Sequence, residues 1–306
     1  MEDWHLVHLG RFAIGGAGII FTEATAVQKC GRITHGCQGL WTDSQIPGHA
    51  RIAQFALRNG AIPAVQLGHA GRKGGMQRPW FGNGPLNDDD IARGDMPWIP
   101  VGPSSVPVAD GWPVPHELSK AQIAALIDDY VSAARRALTA GYKIAEIHGA
   151  HGYLINQFLS KVSNAREDEY GGDIVGRSRF AIEIVETIRQ RLGAQFPLSF
   201  KISAQEFLPD GLTVAESIDI LKHLVKAGID VVQVSAGNDI TPEWICQPMF
   251  MEQACLTESA ARVKEALNIP VMTVGRINDP LIANAVLEKN QADLVCIGRG
   301  LLADPQ

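Results

Sequence analysis

Short apolar runs alternate with longer amphipathic segments along this chain, and this alternation limits the possible folds more than any other feature. Seven such runs lie at residues 18–26, 62–68, 143–149, 197–204, 229–236, 269–275 and 293–298. Strands that alternate with helices form parallel sheets, because each crossover helix returns the chain to the same edge. With 306 residues, 46% of them hydrophobic, the chain can bury a large core. We therefore predict an α/β fold with one parallel sheet, closed or wound by crossover helices.

Two capping boxes mark the starts of helices between these runs. Ser119 is followed three residues later by Gln122, and Thr213 is followed by Glu216. In the helix that Ser119 opens, apolar residues recur at helical spacing until Gly141, a residue typical of helix ends. That stripe is most simply core packing, and the apolar run after it reads as a buried strand.

Two histidines and a tyrosine follow this strand, in the segment 147–172, which reads IHGAHGYLINQFLSKVSNAREDEYGG. His148, His151 and Tyr153 are thus expected at the carboxyl end of the strand. Two imidazoles three residues apart could donate two N–H groups to one carbonyl oxygen and stabilise negative charge that develops there. The tyrosine beside them could deliver a proton.

With these residues the sequence resembles the Old Yellow Enzyme family of flavin-dependent ene-reductases, and most closely its bacterial thermophilic-like subclass. The resemblance runs from Asp3 to the last residue. Its motifs appear in family order: GRITHG at 31–36, QLGHAGRK at 66–73, HGAHGYL with FLS and SNAREDEYGG in the central segment, and IGRGLLADP at 297–305.

The resemblance implies a TIM (β/α)8 barrel that binds flavin mononucleotide (FMN) and takes reducing equivalents from NADPH or NADH. It implies hydride transfer through the flavin to the β-carbon of an activated alkene, a small molecule such as an enone, enal or nitroalkene. His148 and His151 would bind the carbonyl or nitro oxygen, and Tyr153 would donate the proton. No dinucleotide-binding GxGxxG motif is present to indicate which nicotinamide cofactor is preferred.

Only seven strands are readable, whereas a TIM barrel has eight. In the resembled family a first strand precedes the DWHLVHLG segment and carries a cysteine or threonine near the flavin and a tyrosine for substrate. Here Met1 and Glu2 directly precede that segment. The chain is therefore expected to be a family member trimmed at both ends. A seven-stranded closure, pairing with another chain and a misplaced gene start all remain open.

Candidate flavin-ring residues lie at the ends of other strands. Gln66 has an amide that can both donate and accept hydrogen bonds, and the resemblance places the family's ring-binding glutamine there. Ala24 matches a position of close contact. Lys201 lies where many relatives have arginine; it keeps the positive charge that stabilises a reduced anionic flavin but lacks the planar fork.

Two glycine–arginine pairs are the candidates for binding the FMN phosphate. Gly275 and Arg276 follow one predicted strand, and Gly298 and Arg299 follow the next. TIM barrels often bind phosphate beyond their last two strands, where glycine lets the backbone approach and arginine adds charge. A single such pair would be an ordinary turn, but two at consecutive strand ends favour a phosphate site.

The one long irregular stretch, residues 72–118, is rich in proline and contains Trp80, Trp98 and Trp112. Loops this long within a compact domain are usually functional. We expect a lid over the carboxyl-terminal mouth of a single domain that spans residues 1–306. The alternative is a solvated excursion whose aromatic side chains merely pack down.

The polar segment that ends in Gly171 and Gly172 is expected to be structural, with side chains that bond to the backbone of a turn. Arg177 is expected to hold that loop by an ion pair. A surface pair of this kind contributes only about 0–1 kcal/mol to stability.

A metal site is the rival interpretation of the histidine pair, with His69 as a third ligand. The zinc-protease pattern HExxH lies on a helix and has a glutamate between its histidines, and neither condition holds here. We therefore predict no metal.

The bulk properties exclude little else. A net charge of −6 gives no electrostatic reason to expect nucleic acid. The sequence contains no run of about 20 apolar residues, which is the length needed to span a bilayer. Glu2, Asp3 and His5 interrupt any apolar core of a secretory signal at the amino terminus. The five scattered cysteines are expected to be reduced thiols. These features predict a soluble, cytoplasmic protein, with a homo-oligomer as one possibility.

Two functional alternatives stay open at this point. A barrel that lacks a strand exposes sheet edges, so the chain could be a catalytically silent fragment that serves only as a binding or structural piece. It could also be another flavin-barrel dehydrogenase that acts on an amine or an alcohol.

Overall fold

All seven expected strands are present in the computed structural model, which describes residues 1–306. In chain order the strands are β1 (Ile19–Ala26), β2 (Ile62–Gly68), β3 (Val101–Gly102), β4 (His116–Glu117), β5 (Ile144–Gly149), β6 (Leu198–Ser203), β7 (Val231–Ser235), β8 (Val271–Thr273) and β9 (Leu294–Val295). The last two are shorter than predicted. β8 begins only after Pro270, because proline has no N–H for the ladder.

Helices connect the strands and cover one face of the sheet. They are α1 (Asp3–Ile14), α2 (Ile46–Arg58), α3 (Asp88–Ala92), α4 (Lys120–Ala140), α5 (Leu154–Leu159), α6 (Ile174–Leu192), α7 (Val214–Ala227), α8 (Pro242–Ile245), α9 (Thr257–Ala266), α10 (Pro280–Glu288) and α11 (Arg299–Ala303). No helix among them combines the length and the apolar character that crossing a membrane requires.

One parallel sheet contains seven strands in the order β1-β2-β5-β6-β7-β8-β9. Consecutive strands with crossover helices between them give the (β/α) architecture of a TIM barrel, as predicted. β1 and β9 do not pair with each other, so the sheet is open at that position. The outer edge of β1 is partly covered, since Ala26 forms a parallel bridge with Gly39.

The two faces of the sheet differ in chemistry. Along β5, Ala145 and Ile147 belong to the main hydrophobic core that the strands form with the helices. Because successive side chains of a strand point to opposite faces, Glu146 and His148 point to the face away from the helices, here called the interior face. This interior is polar, and the carboxyl ends of the strands open at one rim.

The sequence signals for α4 and α7 are confirmed. Ser119 Oγ accepts a hydrogen bond from the backbone N–H of Gln122, and Thr213 Oγ1 accepts one from Glu216. α4 ends where Gly141 adopts a left-handed conformation with φ of +95°. These caps fix where β5 begins after α4, and so place the histidine pair at the rim.

Residues 72–118 form the long connection between β2 and α4. It contains α3 and a two-stranded parallel sheet of β3 and β4. Arg166, in the segment after α5, donates from Nη1 to the carbonyl oxygens of Pro103 and Leu118 at 2.9 and 2.7 Å. The end of the connection is thereby tied to the segment that follows the histidine pair.

Arg177, on α6, forms the expected ion pair, with Glu216, but this is not a surface pair. Its side chain is only 1% exposed. It also donates to the carbonyl oxygens of Leu159 and Gly172, both at 2.8 Å. The expectation of a weak surface contact was wrong because α6 packs against α5 and α7 and buries the guanidinium.

We predict that Arg177→Met lowers the free energy of unfolding by about 2–4 kcal/mol, because the buried Leu159 carbonyl loses its donor, and the Gly172 carbonyl and the Glu216 carboxylate each lose a charged partner. Urea unfolding followed by circular dichroism measures this. Arg191→Met on the same helix is the control. Its pair with Asp128 is about half exposed, so its loss should cost about 0–1 kcal/mol. Equal effects of the two substitutions would contradict this account.

Candidate active site

His148 lies at the end of β5, and His151 and Tyr153 lie in the turn that leads into α5. The His148 and His151 rings are 5.2 Å apart between centroids and nearly perpendicular. His151 has a φ of +64°, a conformation that non-glycine residues seldom adopt. This backbone geometry turns the chain back sharply, so both imidazoles lie at the same rim.

The tautomer of His148 follows from its backbone contact. The N–H of Ala150 donates to His148 Nδ1 at 3.2 Å, so Nδ1 is an acceptor. Burial, followed by the charges of Lys201 and Lys73, holds the pKa of His148 well below its usual range. The neutral ring therefore carries its proton on Nε2, and this N–H donates to no group of the protein.

His151 is held by two serines. Its backbone N–H donates to Ser203 Oγ at 3.0 Å, and its Nε2 lies 2.7 Å from Ser235 Oγ. Burial again lowers its pKa well below the usual range, and Lys201 adds to the effect. If the Ser235 hydroxyl donates to Nε2, the ring proton is on Nδ1. Nδ1 makes no hydrogen bond within the protein.

Tyr153 packs edge-on against His148, with 5.0 Å between ring centroids. Burial raises the pKa of its hydroxyl, and the nearby ammonium of Lys73 opposes that rise. The phenol is therefore protonated at neutral pH. Ala24, His148 and Tyr153 line one cleft together with Arg32, Cys37 and His69.

A buried ion-pair cluster beside Tyr153 was missed by the sequence analysis. Asp239, which follows β7, is fully buried and lies 2.9 Å from Arg72 Nε and 3.3 Å from Lys73 Nζ. Lys73 Nζ is 5.1 Å from the centre of the Tyr153 ring. Although burial lowers the pKa of Lys73, Tyr153 and Asp239 outweigh it and the pKa is raised. A permanent positive charge therefore stands beside the phenol.

Gln66 and Lys201 lie on the interior face of β2 and β6, the two strands that flank β5 and its Glu146. Gln66 Nε2 donates to Glu146 Oε1 at 2.8 Å. Burial lowers the pKa of Lys201, and Glu146 opposes this effect. Gln66 Oε1 accepts no hydrogen bond from the protein, and Lys201 Nζ donates none. Ala24 is the register partner of Gln66 on β1.

The two glycine–arginine turns lie against each other at the ends of β8 and β9. A Cβ on Gly300 would be 3.7 Å from Asn278, so the segments that follow both strands touch. Gly275 is buried with φ of +117°, whereas Gly298 and Arg299 are exposed. Arg299 Nη2 donates to the carbonyl of Gln247 at 2.8 Å. Arg276 adopts a left-handed conformation with φ of +50°.

His69, the third ligand of the rival metal interpretation, already has partners on both ring nitrogens. Nδ1 accepts from the N–H of Gly71 at 3.0 Å, and Nε2 lies 3.2 Å from Gln28 Oε1. Burial lowers its pKa to about 4. No group of three or more histidine, cysteine, aspartate or glutamate side chains is arranged to hold a metal ion.

The polar atoms without partners have the chemistry that FMN needs. Gln66 Oε1 is an acceptor suited to a ring N–H, and Lys201 Nζ is a cation suited to the carbonyl edge of the ring. Both atoms lie in the polar interior without a partner from the protein, so they are free to bond to a ligand there. The residues present therefore fit the group, with Gln66 and Lys201 as the side chains that could hold its polar edge.

The whole sequence, residues 1–306, matches the family described as NADH:flavin oxidoreductase / NADH oxidase. The chain is also 36% identical over 305 residues to an NADPH dehydrogenase of Geobacillus sp. (strain WCH70), which covers all of this chain and 82% of that protein. The chain belongs to the NADH:flavin oxidoreductase / NADH oxidase family. The Old Yellow Enzyme resemblance is thereby confirmed.

Solved structures give the same result for the fold. A 2-naphthoyl-CoA reductase in complex with 2-naphthoyl-CoA matches with a TM-score of 0.87 at 27% identity, over 100% of this chain and 46% of that one. A histamine dehydrogenase from Rhizobium sp. 4-9 matches with a TM-score of 0.84 at 29% identity, over 98% and 42%. This chain therefore spans less than half the length of those two proteins.

A morphinone reductase variant in complex with tetrahydroNAD matches with a TM-score of 0.75 at 25% identity, over 97% of this chain and 79% of that one. Membership of the family makes the protein an oxidoreductase with FMN as cofactor and a reduced nicotinamide nucleotide, NADPH or NADH, as reductant.

The lowered pKa values predict that both site imidazoles stay neutral. In NMR titrations from pH 8 to pH 5.5, the ring signals of His148 and His151 should not move. Free histidine in the same sample should titrate near pH 6.5. His148→Asn and His151→Asn variants assign the two signals. A ring signal from either histidine with a titration midpoint between pH 6 and 7 would show that burial does not control the protonation of these rings.

Proposed function

We propose that the protein reduces activated alkenes that carry a carbonyl or nitro group. The observation that carries this proposal is the backbone contact from Ala150 to His148 Nδ1, which leaves a neutral imidazole with its Nε2–H free beside a second neutral imidazole. Such a pair donates hydrogen bonds through its N–H groups, and its acceptor nitrogens already have partners in the protein. This suits an oxygen acceptor better than a protonated amine.

In this proposal His148 and His151 bind the substrate oxygen. A donor held in place before the reaction stabilises charge that develops on that oxygen, and it does so more strongly in a site that excludes water. Ser203 and Ser235 keep His151 in position. The pair would therefore both orient the substrate and draw electron density away from the double bond.

Tyr153 is the proposed proton donor to the α-carbon. Its phenol is protonated at neutral pH, so it holds the proton until the substrate needs it. Lys73, fixed by Asp239, then stabilises the phenolate that remains. The fixed charge thus favours loss of the proton by stabilising the ionised form of the acid.

Gln66, Lys201 and Ala24 are the proposed contacts of the flavin ring, and Gly275, Arg276, Gly298 and Arg299 those of the phosphate. When bound, FMN accepts hydride from NADPH or NADH and supplies it to the β-carbon of the alkene. Residues 72–118 are the proposed lid. Their anchoring through Arg72 and Arg166 near the cleft supports that role.

An amine dehydrogenase is the second candidate, because the histamine dehydrogenase is among the structural relatives. Two anaerobic experiments on the FMN-loaded protein distinguish the candidate functions. In one, the flavin is first reduced and then mixed with an enone; in the other, the oxidised flavin is mixed with an amine. Reoxidation by the enone supports the present proposal, and reduction by the amine supports the alternative.

We predict that the double variant His148→Ala/His151→Ala loses at least about 100-fold in kcat/KM for 2-cyclohexen-1-one, while FMN remains bound. Steady-state assays and the bound-flavin absorption spectrum measure the two quantities. His223→Ala on α7 should retain full activity. Undiminished turnover in the double variant would eliminate the proposed role of the pair.

Tyr153→Phe should slow reoxidation of the reduced enzyme by the enone about 100-fold, because the general acid is lost. The reduction of FMN by NADPH should keep its rate, since that step needs no proton from Tyr153. Stopped-flow absorbance resolves the two half-reactions. If reoxidation keeps the wild-type rate, the proton comes from another group.

A further inference from the structure

Glu146 is a buried carboxylate to which the proposed function gives no role. Its side chain is 0% exposed, and it lies on the interior face of β5, two residues before His148. The register places it opposite Gln66 of β2 and Ser199 of β6. It thus stands at the centre of the polar interior, between the residues proposed to contact the flavin ring.

Several donors converge on this carboxylate. Gln66 Nε2 donates to Oε1 at 2.8 Å, and Ser199 Oγ donates to Oε2 at 2.9 Å. The Gln233 amide nitrogen, in the orientation that satisfies both ends of the amide, donates to both oxygens at 3.0 and 3.2 Å. A buried charge is tolerated only when it is hydrogen-bonded or paired. Side chains from β2, β6 and β7 meet that requirement here.

The contact with Gln66 has a consequence for its amide. A glutamine amide can present either its oxygen or its nitrogen to a ligand by a half-turn about its last bond. Burial raises the pKa of Glu146, and the charge of Lys201 and the hydrogen bonds from Gln66 and Ser199 oppose that rise. An ionised carboxylate can only accept hydrogen bonds, so Glu146 selects the orientation in which Nε2 of Gln66 faces it. The acceptor Oε1 is then left for another partner.

Glu146 acts on Lys201 through charge and not through a direct ion pair. Lys201 lies one position further along the interior face of β6 than Ser199, in register with His148 and Gln233. Its ammonium makes no hydrogen bond within the protein. The negative charge of Glu146 favours the charged form of that ammonium, against the effect of burial.

We propose that Glu146 is a positioning residue for FMN: its carboxylate sets the orientation of the Gln66 amide, so that the acceptor Oε1 is ready for the polar edge of the ring. The proposal rests on the proposed function, because it takes Gln66 as a flavin contact. In this proposal Glu146 bonds to Gln66 and not to the cofactor or the substrate.

The test is the dissociation constant of FMN, measured by quenching of flavin fluorescence on the apoprotein and its variants. Glu146→Gln should weaken FMN binding about tenfold or more, because the new amide can meet the Gln66 amide in either orientation. Glu206→Gln is the matched control. Glu206 is another fully buried carboxylate, bonded to Asn156 and Ser160 rather than to the proposed ring contacts, and its substitution should leave the constant unchanged.

A double-mutant cycle separates positioning from a general structural role. Gln66→Ala should itself weaken FMN binding, and Glu146→Gln should have a much smaller effect in that background, because neighbours that act together are not additive. Fully additive losses would overturn the proposal. Glu146→Asp keeps the charge but shortens the reach to Gln66, so a wild-type constant in that variant would overturn it as well, even if Glu146→Gln fails to fold.

The same cycle distinguishes failure of this inference from failure of the proposed site. If Gln66→Ala weakens FMN binding and Glu146→Gln does not, only the role of Glu146 is wrong. If neither substitution weakens binding, the assignment of the ring site to Gln66 is wrong, and this inference fails with it.

Discussion

The alternation of side chains along β5 is the constraint on which the rest of this structure depends. Ala145 and Ile147 join the apolar core against the helices, and this burial fixes the strand's register. Glu146 and His148 are thereby directed to the opposite face, although burying these polar groups there costs free energy. The polar interior must then satisfy a buried carboxylate and a buried imidazole. Side chains from β2, β6 and β7 bond to the carboxylate, and the backbone N–H of Ala150 bonds to Nδ1 of the imidazole. The hydrophobic core and the proposed site are thereby linked through one strand.

Burial shifts the pKa values of the site's ionisable groups in opposite directions, and in each case it favours the neutral form. It keeps His148 and His151 neutral, so they are hydrogen-bond donors rather than cations. It keeps the Tyr153 hydroxyl protonated, so the group is an acid rather than a base. Lys73 remains charged because Tyr153 and Asp239 beside it raise its pKa against the effect of burial. One physical effect, desolvation, thus sets neutral donors and a protonated acid together, while a single fixed ion pair supplies the charge.

Much of the fold could be predicted because its signals are local. Apolar runs, capping boxes and Gly141 mark the strands and helices, and counting along the strand places His148 near its carboxyl end. The pairing of Arg72 with Asp239 could not be predicted, since those residues are 167 positions apart and Asp239 lies in no distinctive pattern. The placement of Glu146 could have been predicted, because Glu146 and His148 are two residues apart and therefore lie on the same face of the strand. The lid and the phosphate-binding turns remain predictions, because a lid is defined by its movement and a phosphate site by its bound ligand.

The central claim is that this seven-stranded sheet holds FMN in a polar interior beside two neutral histidines and passes its electrons to an alkene. The visible absorption spectrum of the purified 306-residue protein, recorded after incubation with FMN and desalting, tests it most directly. The account predicts a retained flavin band that NADPH or NADH bleaches and an enone restores. A colourless protein, or a reduced flavin that the enone leaves unchanged, would contradict it.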